Sequence, residues 1–190
     1  MKNIFMVLVC LVVSFSFAAH ASREKDSHEH GAANVMLAME GEKLQLSFEV
    51  PSESLIGFEH FPKSQDQRWY FNEAIKSLLE PSKLFSIPAD AECLLVGINV
   101  SQSLFAAKDE HGHEEKDEHG HDESDKSEIH SEFISKYHWN CEHLDEIDSI
   151  GTQLMNIFPR IEEIRVRWIT KNNQGSIELE SKDDRIKGWK

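Results

Sequence analysis

The densest set of potential metal ligands in this chain lies in residues 108–132, which contain five histidines, eleven acidic residues and three lysines. The unit Lys-Asp-Glu-His-Gly-His-acid occurs there twice, at 108–114 and 116–122. Neutral imidazole is a preferred protein donor for zinc, copper and nickel, and carboxylates add negative charge and oxygen ligands. This segment, the histidine tract, therefore predicts binding of a divalent transition metal through the paired histidines of the repeat, His111, His113, His119 and His121.

The composition of the histidine tract also predicts its physical state. It has almost no apolar side chains, so it cannot bury enough surface to fold by itself, and we expect a flexible, disordered insertion at 108–132. The alternative to a metal-binding role is a solvated acidic linker.

The tract carries a net charge of −8 (eleven acids, three lysines) out of −14 for the chain. Because there is no basic stripe, nucleic acid and anionic lipid are disfavoured as partners.

The first residues have the pattern of an export signal. Lys2 is followed by an apolar run at 4–17 and then by Ala19-x-Ala21, a typical cleavage site. This predicts a signal peptide at 1–21 and a single mature domain at 22–190, located outside the cytoplasm. The apolar run is too short for a good membrane span, so no stable membrane anchor is expected.

Two cysteines remain after the predicted cleavage, Cys93 and Cys141. An even number of cysteines in an exported protein predicts a disulfide, which here closes a loop that contains the whole histidine tract. The alternative is that both thiolates bind metal, which an oxidising compartment disfavours.

Hydrophobic periodicity predicts the elements around the tract. The runs 33–39 and 44–50 indicate a β-hairpin, and Ser64 begins a capping-box pattern for a helix that ends near Leu79. The apolar stripe of this helix, Tyr70, Ala74, Ile75, Leu78 and Leu79, is expected to face the core. Trp69 and Tyr70 are expected to be core or helix-packing residues and not cofactor contacts.

The remaining pattern gives strands at 93–100 and 132–141, a short helix at 151–158, and a last hairpin formed by 161–170 and 176–179. In the strand at 132–141, Phe133, Ser135, Tyr137, Trp139 and Cys141 share one face. The predicted fold class is therefore α+β, with about six mostly antiparallel strands and two helices.

Four histidines lie close to predicted strand ends and could form a structured metal site: His28, His30, His60 and His130. His28 and His30 point to one side only in an extended chain, as two residues at i and i+2 do. Glu59 is either a further ligand or an acceptor that orients an imidazole. The alternative for His60 is a loop histidine hydrogen-bonded to backbone. His138 and His143 are expected to be ordinary surface residues.

Four motifs occur in a characteristic order: His28-Glu-His-Gly31, Gly57-Phe-Glu-His-x-Pro62, His130-Ser-Glu-Phe…Tyr-x-Trp-x-Cys141, and Phe158-Pro-x-Ile-x-x-Ile-x-Val166. Together they resemble the ZrgA-type family of periplasmic zinc-binding proteins over essentially all of residues 22–190. The resemblance implies Zn²⁺ as the ligand, location in a Gram-negative periplasm, and a part in zinc acquisition with an ABC-type importer. One departure is Phe61, where the family pattern has a small residue.

The sequence thus predicts a zinc-binding protein of zinc acquisition or buffering and not an enzyme. One alternative is a zinc-dependent hydrolase, but no His-Glu-x-x-His motif is present, and Glu59 beside His60 is the only candidate base. The other alternative is an envelope interaction module whose histidines sense pH. The sequence leaves open the choice among zinc, copper and nickel, because affinity order alone favours copper.

Overall fold

The structure, a computed structural model, describes residues 29–103 and 131–190. These residues contain nine strands and four short helices: β1 Ala32–Glu40, β2 Lys43–Pro51, α1 Ser52–Ile56, α2 Gln65–Leu78, α3 Pro81–Leu84, β3 Phe85–Ser86, β4 Cys93–Gln102, β5 Glu132–Cys141, β6 Ser149–Thr152, α4 Leu154–Ile157, β7 Glu163–Thr170, β8 Gln174–Leu179 and β9 Arg185–Lys187. The arrangement is α+β-like and mostly β. The prediction of about six strands and two helices was too low for both. Residues 1–28, with the predicted signal peptide, and residues 104–130, with all of the histidine tract except Ser131 and Glu132, lie outside the described residues.

The strands form two sheets. The larger has the order β4-β5-β2-β1-β7-β8, and the smaller has the order β3-β6-β9. Neighbours are antiparallel, except for β1 and β7, which run parallel. The predicted hairpins are present as β1–β2 and β7–β8. The helix predicted at 151–158 was too long, because β6 occupies its beginning and only α4 is helical.

Alternation of apolar and polar side chains decides which face of the larger sheet is buried. In β5, Phe133, Ser135, Tyr137 and Cys141 are almost fully buried, whereas the intervening residues are less so, as the pattern predicted. The inner face of β2 carries Leu44, Leu46, Phe48 and Val50, and all of these belong to the same core. Strands β1, β7 and β8, the four helices and the smaller sheet also contribute to that core.

Helix α2 begins as predicted but buries a narrower stripe. The Ser64 hydroxyl accepts a hydrogen bond from the Gln67 N–H at 3.1 Å, which caps the first turn. Ala74 and Leu78 are buried, but Tyr70 and Leu79 are 54% and 49% exposed, so their predicted core positions were wrong. Trp69 is exposed as well, and its ring lies edge-on to that of Tyr70 on the same helix. The helix lies at the margin of the core, and therefore only one narrow row of its side chains reaches the sheet. No helix in the described ranges is long and apolar enough to cross a membrane.

The register of the larger sheet brings several strand ends together. Pro51 at the end of β2 pairs with Glu132 at the start of β5, and Ala32 at the start of β1 pairs with Glu163 at the start of β7. Strand β4 also ends here, since Gln102 pairs with Phe133. We call this end of the strands the Ser131 edge; the term does not refer to the outermost strands of the sheet. Ser103 and Ser131, the described residues on either side of residues 104–130, both lie on it.

At the opposite side of the sheet, Cys93 of β4 pairs directly with Cys141 of β5, and the two form the predicted disulfide. We call this side the disulfide edge. Strand β5 spans ten residues at about 3.3 Å each, so the two edges are roughly 30 Å apart.

Candidate metal centre

The structure describes two of the four histidines predicted for a structured site, His30 and His60. The other two, His28 and His130, lie outside the described residues, as do the tract histidines His111, His113, His119 and His121. Both described histidines lie at the Ser131 edge, one just before β1 and the other after β2 and α1.

His30 is held in place through the residue that follows it. Gly31 has a φ of +86°, which a side chain would disfavour, and it makes the turn into β1. Its N–H donates to the buried Ser54 hydroxyl of α1 at 2.8 Å, and its carbonyl accepts from the Glu162 and Glu163 N–H groups at 2.8 and 3.1 Å. The His30 backbone is therefore tied to α1 on one side and to β7 on the other.

The His30 ring faces Glu59. Its Nε2 lies 3.9 Å from Glu59 Oε1, and the Glu59 side chain is only 18% exposed against 59% for His30. At this distance the two side chains are neighbours, but they are too far apart for a hydrogen bond. Two donors that each bind one zinc ion at about 2.0–2.1 Å are about 3.4 Å apart at the tetrahedral angle. A movement of about half an ångström would therefore allow His30 and Glu59 to bind a common ion.

His60 presents one ring nitrogen for ligation. Its ring stacks on Phe58 with a centroid distance of 5.2 Å, and its Nδ1 lies 2.9 Å from the Phe61 carbonyl oxygen. A carbonyl only accepts hydrogen bonds, so Nδ1 carries the proton in this contact. In the neutral ring the lone pair is then on Nε2, the nitrogen available to a metal. The backbone hydrogen bond offered as the alternative for His60 is present, and it is compatible with ligation.

The loop that carries Glu59 and His60 begins at a sharp turn after α1. Gly57 ends that helix with a φ of +85°, and its N–H donates to the Glu53 carbonyl at 2.7 Å. A Cβ at Gly57 would come within 2.9 Å of the Arg160 guanidinium, which in turn pairs with Glu53 at 3.4 Å. A side chain at position 57 would disturb both contacts, which explains why glycine stands there.

The strand that follows His130 reaches the same place. Ser131 is buried, and its carbonyl accepts the N–H of Ser52 at 2.8 Å. Ser52 is the first residue of α1, the helix that also holds Gly31 through Ser54. The chain therefore returns from the histidine tract against the helix that positions His30.

Charge at this edge is mixed. Arg165 of β7 donates to Glu29 at 2.5 Å and to Glu163 at 2.5 Å. These two hydrogen bonds raise the pKa of Arg165 above its usual range, and the one that Arg165 donates to Glu29 has the larger effect. Glu29 is thus already engaged by a permanent cation, which leaves His30, Glu59 and His60 as the better metal donors.

Among the residues that the structure describes, one group of three potential ligands has all its ligand atoms within 4.8 Å of one another: Glu92, Glu142 and His143. It lies at the disulfide edge. His30, Glu59 and His60 do not form such a group. His143 was expected to be an ordinary surface residue, and the sequence did carry a signal for it: Glu92 adjoins Cys93, and Glu142 and His143 follow Cys141, so a disulfide brings all three together.

A family model, described as ZrgA family zinc uptake protein, matches residues 27–188. No curated protein shows significant similarity to the chain. The matched range contains every described strand and helix, His30, Glu59, His60 and the disulfide. The chain therefore belongs to the ZrgA family of zinc uptake proteins.

Proposed function

We propose that this protein is a periplasmic zinc-binding protein that collects zinc for uptake, working with an ABC-type importer, and that it has no catalytic role. Membership of a zinc uptake family supports zinc as its ligand. The apolar segment and Ala-x-Ala motif at the start of the sequence support export. The disulfide supports a compartment in which thiols are oxidised.

We call the site expected to hold zinc most tightly the retained site. It is proposed to lie at the Ser131 edge and to use His28, His30, His60 and His130, with Glu59 as a ligand or as an acceptor that orients an imidazole. The observation that carries this proposal is the contact of His30 Nε2 with Glu59 Oε1 at 3.9 Å. The neighbouring His60 adds an imidazole whose Nε2 is free of the backbone contact made by Nδ1. Histidine and carboxylate donors together suit zinc in a four-coordinate site.

In this proposal the histidine tract is an auxiliary collector. His111, His113, His119 and His121 offer further imidazoles, and the carboxylates around them attract divalent cations. The tract joins the domain at Ser103 and Ser131, so it begins and ends beside the proposed retained site. Ions bound by the tract would then be close to the site that keeps them.

Calorimetric titration of the chain 22–190 with zinc tests this function. We expect at least one ion bound with a dissociation constant below about 10 µM, which corresponds to about 7 kcal/mol. His30→Ala and His60→Ala should each weaken the tightest site, and His138→Ala is the control because that exposed histidine lies mid-strand, away from the Ser131 edge. Absence of binding by zinc, copper and nickel at this affinity would reject the proposal. Equal binding by all three variants would reject the site.

A further inference from the structure

We propose a second divalent-metal site, formed by Glu92, Glu142 and His143 at the disulfide edge and assembled by the Cys93–Cys141 bond. It is separate from the proposed zinc site, since β5 places the two roughly 30 Å apart. The proposal rests on the proposed function only for the choice of zinc as the first ion to test.

The chemistry of the donors favours a divalent transition metal. The three ligand atoms, two carboxylate oxygens and one imidazole nitrogen, all lie within 4.8 Å of one another. A divalent ion neutralises the two carboxylates, and the imidazole selects transition metals over calcium and magnesium, which prefer oxygen alone. All three side chains are exposed, so they can close the remaining distance to about 2 Å from a common ion without repacking the core.

In the part of the chain that the structure describes, the negative charges of Glu92 and Glu142 are not balanced by a cationic side chain. Within the described residues, no lysine or arginine forms an ion pair with Glu92 or Glu142. Two carboxylates held this close repel each other in the absence of a cation. An ordinary surface pair could relieve this by moving apart, but here the two backbone segments that carry the carboxylates are held together.

The backbone restraint comes from the disulfide and two hydrogen bonds. Glu92 precedes Cys93 and Glu142 follows Cys141, so the covalent bond fixes the distance between the two segments. The Glu142 N–H donates to the Glu92 carbonyl at 3.4 Å, and the His143 N–H donates to the Ala91 carbonyl at 3.2 Å. Donors on two separate segments are thereby placed together before any ion binds, which lowers the entropy cost of binding.

The number of ligands predicts how the site behaves. Three protein donors leave at least one coordination position open to water or to a donor from another molecule. An exposed site of this kind exchanges its ion readily, in contrast to a closed four-ligand site. We therefore assign it to exchangeable zinc and not to retained zinc.

The test uses the whole mature chain and follows His143 itself. The ring ¹⁵N resonances of His143 are recorded by NMR during titration with zinc, for the wild type and for Glu92→Gln, Glu142→Gln and Glu146→Gln. Glu146 is the matched control, an exposed glutamate three residues beyond His143 that is not part of the group. We expect His143 to shift and saturate in the wild type and in the control, and the two ligand variants to bind at least about tenfold more weakly at this site.

The role of the disulfide is tested with Cys93→Ser/Cys141→Ser, which removes the bond without leaving thiolates that could bind zinc. Circular dichroism checks the fold of this variant. We expect a similar loss of zinc affinity at His143, whereas zinc binding at His30 and His60 should be retained. If this variant does not fold, the glutamine variants still decide the existence of the site. A His143 ring unmoved by zinc at 1 mM, about a hundredfold above the threshold used above, overturns the proposal, as does equal binding by Glu142→Gln and Glu146→Gln. Neither outcome affects the proposed function, which depends on residues at the other edge.

Discussion

Glu49 of β2 and Glu132 of β5 lie on neighbouring antiparallel strands of the larger sheet, close enough for the Glu49 carboxyl to affect the pKa of Glu132. Partial burial is the main cause that raises the pKa of Glu132, and the neighbouring Glu49 carboxyl, as a side-chain hydrogen-bond partner and as a negative charge, adds to it. Glu132 is also the last residue of the histidine tract and adjoins Ser131, so this acidic pair lies on the Ser131 edge.

The pair predicts a pH-dependent stability. Because the folded chain holds the Glu132 proton more tightly than the unfolded chain does, the contribution of this group favours folding at low pH. It is lost as the pH rises from the ordinary glutamate range, about 4.3, through the raised pKa. Glu132→Gln should therefore raise the free energy of unfolding at pH 7 relative to the wild type. Urea denaturation between pH 4 and 8 measures this, with exposed Glu178→Gln as the control. A wild-type profile no steeper than that of Glu132→Gln would contradict the assignment.

Tyr137 anchors α2 to the sheet through one buried hydrogen bond. Its hydroxyl donates to the Leu78 carbonyl at 2.8 Å, and burial raises the pKa of Tyr137 to about 12, so the proton remains in place at neutral pH. Tyr137→Phe leaves that carbonyl without its partner and should cost about 1–2 kcal/mol of unfolding free energy. Tyr70→Phe removes the same atom from a side chain that is 54% exposed and should change stability by less than about 0.5 kcal/mol. Equal effects of the two changes in urea denaturation would show that the buried bond contributes nothing.

Two serines of α1 offer a matched test of how His30 is positioned. Both are fully buried, but the Ser54 hydroxyl accepts the Gly31 N–H, whereas the Ser52 hydroxyl has no hydrogen-bond partner among the described residues. Ser54→Ala should cost about 1 kcal/mol and weaken zinc binding at the Ser131 edge. Ser52→Ala should be neutral or slightly stabilising and leave zinc binding unchanged. Thermal denaturation and calorimetry distinguish these results. A Ser54→Ala chain that binds zinc as the wild type does would exclude positioning through Gly31.

Removal of residues 109–128 should leave the domain folded. The flanks of the tract are held together, since the Ser103 N–H donates to the Glu132 carbonyl at 3.0 Å and its hydroxyl accepts the Glu132 N–H at 2.9 Å. The entropy of closing a loop changes only slowly with its length. We expect an unchanged circular dichroism spectrum, fewer zinc ions bound, and retention of the tightest site. Loss of tight binding with His30 and His60 intact would place that site in the tract.

Zinc affinity should fall on mild acidification. An imidazole must be neutral to bind metal, and free histidine titrates near pH ~6.5, so protons compete with zinc at every histidine ligand. With several histidines in one site, the apparent affinity should decrease by more than tenfold between pH 7.5 and 5.5. Calorimetry at the two pH values in matched ionic strength measures this. An unchanged affinity would mean that carboxylates, and not histidines, hold the ion.

Local patterns predicted the parts of the fold that local chemistry decides. The alternation in β5 gave its buried face, and Ser64 gave the start of α2. The sequence did not reveal the parallel pairing of β1 with β7, because the two strands are separated by most of the domain. The strands of the smaller sheet have only two to four residues, too few for a period of two to be visible. Tyr70 was misplaced because the width of a buried stripe depends on what a helix packs against.

The candidate site residues were likewise predictable from the sequence only in part. Residue type and proximity to strand ends selected His30, Glu59 and His60, and the register of the sheet gathers their segments at one edge. The group Glu92, Glu142 and His143 was not predicted, although each member lies within two residues of a cysteine. Its formation requires the pairing of β4 with β5, which is a long-range contact.

The positions of Ser103 and Ser131 side by side have a quantitative consequence for metal transfer. A chain rises at most about 3.6 Å per residue, so His111, His113, His119 and His121 can never be more than roughly 40–45 Å from the Ser131 edge. Confinement to such a volume is equivalent to an effective concentration on the order of millimolar or higher. An ion that is still bound to the tract therefore meets the domain of its own molecule at a concentration that free zinc in solution would not approach, and the rate of that encounter does not depend on how much protein is present.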